Sequence, residues 1–222
     1  MEAQGKGKRL VKYVEDYVVF DLETTGTNII SDGIIEISAV KVRKRSITDT
    51  FSTLVNPGRS IPYYATEVNG ITDEMVADAP DIREALEDFL KFIGEDVLVG
   101  HNIQSFDLKF IYREAMGLFG MEIINDYIDT LYMSRSCLPQ LKHHKLVDLA
   151  DYFQISREGA HRALNDCMMN QKCFEALAEI QKNIKIQICP KCSGELKRRN
   201  GKFGEFLGCS NFPECRYTSP LK

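Results

Sequence analysis

The period of the apolar residues changes repeatedly along this chain, and each change predicts an element. Tyr17 to Glu23 (YVVFDLE) is a β-branched and aromatic run closed by Thr24-Thr25-Gly26, which predicts a buried strand ending in a turn. Two further strand-like runs, 34–42 and 46–55, are separated by the polar Arg43-Lys44-Arg45, so the first three strands are expected to form an antiparallel meander. Helical spacing begins at Asp81, a residue suited to an N-cap. Leu86, Phe89, Leu90 and Ile93 follow as an apolar stripe, and Gly94 supplies a stop. Beyond it the pattern predicts a strand over 96–100, a helix over 105–116, a strand over 123–128, a short helix over 147–153 and a long last helix over 162–180. The order β-β-β-α-β-α-β-α-α predicts an α/β fold, a mixed sheet with helices packed on it.

With 222 residues, 44% of them hydrophobic and 27% charged, the chain is long enough for one substantial core and a small appendix. The composition turns near Gln181 to Ile188. From Lys182 onward nine Lys or Arg face three Asp or Glu, net +6, whereas upstream 19 basic residues face 29 acidic ones, net -10. An acidic, cation-seeking body joined to a basic tail suits metal-dependent work on a polyanion. Ile184, Ile186 and Ile188 alternate, which predicts a short strand at the junction and contact between the two parts. No run approaches the ~20 apolar residues of a membrane-spanning helix, and the polar N-terminus is not followed by an apolar region, so neither membrane insertion nor export is expected. Seven cysteines, an odd number with four in the last forty residues, point to metal ligation in a reducing compartment, the cytoplasm.

Asp21 and Glu23 are two apart on a strand and therefore leave the same face. A lone Asp-x-Glu is more often a solvated strand end than a metal site. Two carboxylates on an otherwise apolar strand nevertheless call for a cationic partner. Asp107 follows the 96–100 strand near a helix start, where α/β sites form and where an acidic residue also favours the helix dipole. His161 and Asp166 are five apart, about 140° on a regular helix, so His161 is expected just ahead of the last helix, beside Gly159.

Taken together, FDLETTG (20–26), HNIQSFDLKFI (101–111) and HRALNDC (161–167) resemble the DEDDh exonuclease family, which includes polymerase proofreading subunits, ribonuclease T and oligoribonuclease. ATEVNGIT (65–72) resembles the segment before the family's substrate cleft, and the likeness spans roughly residues 12–180. It implies a ribonuclease H-like mixed sheet flanked by helices and a 3'-to-5' exonuclease. Asp21, Glu23, Asp107 and Asp166 would hold two Mg2+ or Mn2+ ions and His161 would serve as the base. It also places Leu22, Thr24, Thr25, His101, Asn102 and Phe106 at the substrate, with Phe106 equally readable as core. Asn69 and Asn165 depart from the residues that relatives often carry there, which bears on substrate detail. The paired His143-His144 is read as a solvated loop, and Cys137, Cys167 and Cys173 as buried or idle thiols.

Cys189 and Cys192 are followed after sixteen residues by Cys209 and after five more by Cys215, a spacing suited to one tetrahedral Zn2+. A segment of this size folds poorly without such a staple. The run resembles the C-terminal zinc ribbon of bacterial type I topoisomerases, which implies a structural ion. Phe203, Phe206, Phe212 and Tyr217 interleave with Lys197, Arg198, Arg199, Lys202 and Arg216, a mixture that stacks bases and neutralises phosphates, although at least half of the aromatics are expected in the ribbon's own core. The expected organisation is a flexible N-terminus (1–11), an exonuclease domain (12–181) and a zinc ribbon (182–222). Its partner is a single-stranded 3' end, DNA ahead of RNA, with a polymerase or repair partner implied. Three alternatives stay open: an RNA-trimming exoribonuclease, a non-catalytic nucleic-acid adaptor and, for the ribbon, a protein-docking role.

Overall fold

A computed structural model describes residues 7–159 and 161–221. In Tyr17–Thr24 (β1) the period of two sorts the side chains: Val18, Phe20 and Leu22 enter one apolar cluster, Tyr17 and Val19 another on the opposite face. Asp21 and Glu23 keep the phase of Tyr17 and Val19. The expected meander is present: β1 pairs antiparallel with Ile34–Arg43 (β2), and β2 with Ser46–Leu54 (β3). On the other side Leu98–Gly100 (β4) runs parallel to β1, and Tyr127–Asp129 (β5) parallel to β4. The sheet order is β3-β2-β1-β4-β5, so β1 is central and its carboxyl end lies where α/β sites form.

Between β3 and β4 come Tyr63–Asn69 (α1), Asp73–Val76 (α2) and Ile82–Ile93 (α3). Asp81 caps α3 as expected, accepting the Glu84 N–H at 3.0 Å. Asp107–Phe119 (α4) joins α3 on one face, where Phe20 meets Phe89 with ring centroids 5.2 Å apart. Thr130–Cys137 (α5), Leu146–Tyr152 (α6) and Ala163–Gln181 (α7) cover the other face, where Phe174 meets Tyr17 edge-on at 4.9 Å. Each fully buried aromatic or aliphatic side chain contributes about 1.5–3 kcal/mol, so both cores hold the sheet independently of any ligand. A third, smaller cluster of Ile35, Ile61, Ala65, Ile71 and Val76 seats α1 and α2.

The C-terminal part is a separate antiparallel sheet of Leu196–Gly201 (β6), Gly204–Cys209 (β7) and Thr218–Pro220 (β8).

Several elements differ from expectation. α1, α2 and α5 were not predicted by the periodicity. β5 begins at Tyr127 rather than 123, because the Asn125 amide bonds the Gly94 and Asp96 carbonyls, each at 2.8 Å, and holds the preceding residues as a pinned loop. The strand expected over Ile184–Ile188 is reduced to one bridge, Ile188 with Glu195, while Ile184 turns to the α7 core. Of the N-terminus expected to be flexible, residues 1–6 lie outside the described residues. Arg9 bridges Tyr127, and the Leu10 N–H donates to the Tyr127 carbonyl at 2.7 Å. No helix among the described residues is long and apolar enough to cross a membrane.

Candidate active site

The phase of β1 delivers Asp21 and Glu23 to the α7 face, and the first turn of α7 delivers Asp166 opposite them. Ala163 is fully buried there, and the Cys167 thiol meets the Ser38 carbonyl at 3.3 Å. The carboxylates of Asp21, Glu23 and Asp166 offer oxygens that all lie within 4.8 Å of one another. Asp107, buried in the first turn of α4, stands outside that mutual distance; its carboxylate accepts N–H groups from its own backbone and from Leu22.

These groups raise one another's pKa. Burial, then the charges of Asp107, Asp166, Glu23 and Glu36, holds Asp21 well above the carboxylate range. Burial and the charges of Asp166 and Glu36 push Glu23 up to about 8, against a pull from the Asn69 amide. Burial pushes Asp107 up to about 7, against its two backbone hydrogen bonds, and raises Asp166 against the His161 N–H. Clustered acidic oxygens with so little cationic compensation match the donor set of a hard divalent ion, so the residues fit such a group.

His161 lies ahead of α7 as expected, exposed, in the left-handed region at φ 67°, with its N–H donated to Asp166 at 3.1 Å. The residue after it ties this loop to the sheet. Arg162 grips the buried Glu36 of β2 through two bonds of 3.2 and 2.9 Å, and the same carboxylate accepts the Ala163 N–H at 3.2 Å. Glu36 faces Glu23 across the strand pair. Sequence reasoning missed Glu36 and Arg162. The available signal was one acidic residue in the apolar run IIEISAV, a position that demands a buried cation.

The substrate-side candidates gather around the same strand end. Leu22 follows Asp21 in sequence, but its side chain is buried on the opposite face with Val18 and Phe20, which leaves its backbone on the site. Thr24 donates to the Gly26 carbonyl at 2.7 Å, and the Thr25 hydroxyl accepts from the Gly33 N–H at 3.0 Å and from Arg59 at 3.2 Å. Both threonines thus shape the turn. Gly26 suits that turn, because a Cβ there would displace the Asp32 carboxylate. His101 pairs with the Thr130 hydroxyl at 3.0 Å, and burial lowers its pKa to about 4, so the imidazole is neutral. Asn102 adopts φ 62° with its N–H on Asp129 at 3.0 Å. Phe106 is half-buried against Phe110, ring centroids 5.0 Å apart. Asn69, buried at the end of α1, reaches Glu23. The loop reading of the histidine pair holds for exposed His143 but not for His144, which is half-buried and bonds Ser134 at 3.1 Å.

In the second sheet one sulfur from each of Cys189, Cys192, Cys209 and Cys215 lies within 4.8 Å of the other three. Burial opposes ionisation of Cys192, but the Gly194 N–H and the neighbouring thiols bring it down to about 7. Four sulfurs closing on one point fit tetrahedral zinc with no open position. Phe203 is 98% exposed and Phe212 62%, whereas Phe206 and Tyr217 are half-buried, Tyr217 against the cysteine cluster.

Comparison with known proteins agrees with this geometry. Residues 18–174 match the family described as Exonuclease, and residues 186–222 the one described as Topoisomerase DNA binding C4 zinc finger. A DNA polymerase III PolC-type of Caldanaerobacter subterraneus subsp. tengcongensis is 41% identical over 83% of this chain, which spans 13% of that protein's length. The DNA polymerase III subunit epsilon of Aquifex aeolicus is 37% identical over 73% of this chain and 80% of its own. Among solved structures, Exonuclease X in complex with 5' overhanging duplex DNA superposes with a TM-score of 0.58 at 28% identity, covering 75% of this chain and 92% of that one. The ribonuclease H-like fold and the four-cysteine ribbon expected from the motifs are both present.

Proposed function

This chain belongs to the exonuclease family, and on that premise we propose that it removes nucleoside 5'-monophosphates from the 3' ends of single-stranded or frayed DNA, with a divalent metal. The observation that carries this reading is the Asp21, Glu23 and Asp166 cluster at the end of the central strand. Residues 12–181 act as the catalytic unit and 182–222 as the ribbon.

Two Mg2+ or Mn2+ ions held by Asp21, Glu23 and Asp166, with Asp107 in support, would activate the attacking water and balance charge on the phosphate. His161, on a loop tied to the site by the Asp166 and Glu36 contacts, takes a proton from that water. The Leu22 backbone and Thr24, Thr25, His101, Asn102 and Phe106 bind the terminal nucleotides, the neutral His101 acting as a hydrogen-bonding and packing group. The ribbon's zinc supplies folding energy rather than chemistry. Its Lys197, Arg198, Arg199, Lys202 and Arg216 neutralise phosphates while Phe203 and Phe212 offer faces for bases. The relatives' names favour DNA over RNA and a DNA polymerase as partner, and the four clustered free thiols favour a reducing compartment, the cytoplasm.

Single-stranded DNA and RNA oligonucleotides labelled at either end, incubated with Mg2+, Mn2+ or EDTA, test this. Metal-dependent mononucleotide release from the 3' end, faster on DNA, is expected. Faster release from RNA would make the chain an RNA-trimming enzyme, and no cleavage under any condition would make it an adaptor.

A further inference from the structure

Arg9 precedes the region that matches the exonuclease family, yet it is only 4% exposed. Its guanidinium lies over the Tyr132 ring of α5 at 4.0 Å and reaches two parts of the molecule at once. It donates to Gln104 Oε1 at 3.1 Å in the body, and to Ser210 Oγ at 2.9 Å and Asn211 Oδ1 at 2.5 Å in the ribbon. Its Nε is buried with no partner among the described residues. Such an orphan carries a desolvation penalty that an apolar side chain in the same place would not incur.

Each end of this connection continues into a site. On the ribbon side Asn211 is fastened to the cysteine quartet, its backbone N–H to Cys209 Sγ at 3.4 Å and its amide to Cys192 Sγ at 3.5 Å. On the body side Gln104 belongs to the loop between β4 and α4. The buried Asp129 accepts the Asn102 N–H at 3.0 Å and the Gln104 N–H at 3.3 Å, and the loop leads directly into Asp107. The left-handed Asn102 needs such support, because that conformation is costly for a residue with a side chain.

We infer that Arg9 is a positioning residue that couples the ribbon to the substrate loop: the folded cysteine module, acting through Asn211 and Arg9, holds residues 101–106 in the form that grips a 3' end. The inference rests on the reading of that loop as substrate path. Loosening the link weakens substrate binding and leaves the carboxylates as they are.

The test uses the full zinc-loaded chain with Arg9→Ala, Arg9→Lys, Gln104→Ala, the Arg9→Ala/Gln104→Ala double variant and Ser136→Ala. Ser136 is a control: it links body and ribbon through Glu195 at 2.8 Å and Lys197 at 3.2 Å without touching the loop. Zinc content is measured first, then KM and kcat on a short single-stranded DNA, then amide exchange at Asn102 and Gln104. Arg9→Ala is expected to raise KM on the order of 10-fold with kcat nearly unchanged, and to speed exchange at both amides with zinc retained. Arg9→Lys does not rescue, because an ammonium cannot satisfy the same spread of acceptors. The double variant is no worse than the larger single effect. Unchanged KM and exchange in Arg9→Ala, additive effects in the double variant, or an equal KM rise in Ser136→Ala would each overturn the inference. If the wild-type chain cleaves nothing, the catalytic reading fails. Accelerated exchange at Asn102 and Gln104 in Arg9→Ala would then still support the link, and its absence would still refute it.

Discussion

The two clusters suited to a metal stand in opposite relation to the folds that carry them. In the body, two large apolar clusters fix the sheet and its helices, and the acidic residues are imposed on the end of a strand already held in place. In the ribbon, Cys189, Cys209 and Cys215 are themselves the buried cluster, with only Cys192, Leu196 and Tyr217 packed against them. The carboxylates repel one another and burden the body when no cation is bound; the thiolates give the ribbon a reason to fold. A large core can thus tolerate an electrostatically unfavourable site, whereas a module of this size must draw its stability from its cysteines.

The strongest way to break this comparison is Asp21→Asn. Activity should fall about 1000-fold or more in an oligonucleotide assay, since several kcal/mol of transition-state stabilisation depend on the site. The metal-free variant should nevertheless melt on the order of a few degrees higher than the parent by calorimetry. The sign follows from the raised carboxylates: their folded pKa values lie above the unfolded ones, so ionisation at neutral pH opposes folding, and removing one charge relieves it. A lower melting temperature would show that the cluster supports the fold.

Cys192→Ser, or zinc removal from the wild-type chain, should abolish exchange protection in β6, β7 and β8 while α3, α7 and the central sheet keep theirs. Structural zinc contributes about 10–16 kcal/mol to comparable modules, far more than this small cluster can replace. Retained protection in the ribbon would remove the contrast.

A pH titration separates the halves further. His101 is held at about 4 by burial, below the ordinary imidazole value, so the unfolded state takes the proton first. Its contribution is complete above pH ~6.5 and lost as the pH falls toward 4, by about 3 kcal/mol. His101→Gln should therefore be less destabilised than wild type by acid denaturation over that window. Equal acid sensitivity would show that His101 is not held neutral. The smallest effect expected is that of Phe203→Ala at the exposed turn between β6 and β7: about 5- to 10-fold weaker binding of single-stranded DNA, with an unchanged melting temperature. Unaltered affinity would make that turn a bystander.

How much of this was legible in the sequence depended on distance along the chain. β1 announced itself because both of its faces are buried, and Asp21 and Glu23 because a period of two assigns them one side. The cysteines were legible from spacing alone. α1 was hidden because Tyr63, Tyr64 and Val68 point outward, reversing the usual sign of the pattern. α5 was hidden because its buried side carries Thr130, Ser134 and Cys137, with Met133 as its one large apolar residue. Glu36 with Arg162, and Arg9 with Gln104 and Asn211, lie about a hundred residues or more apart, and local periodicity holds no trace of such pairs.

Counting Mn2+ bound to the zinc-loaded chain by electron paramagnetic resonance decides whether the carboxylates at the end of β1 hold divalent metal. Two Mn2+ per wild-type chain, with binding lost or severely weakened in Asp21→Asn and in Asp166→Asn while zinc stays in place, is the result this account predicts. No Mn2+ bound by the wild type, or binding indifferent to both substitutions, would contradict it.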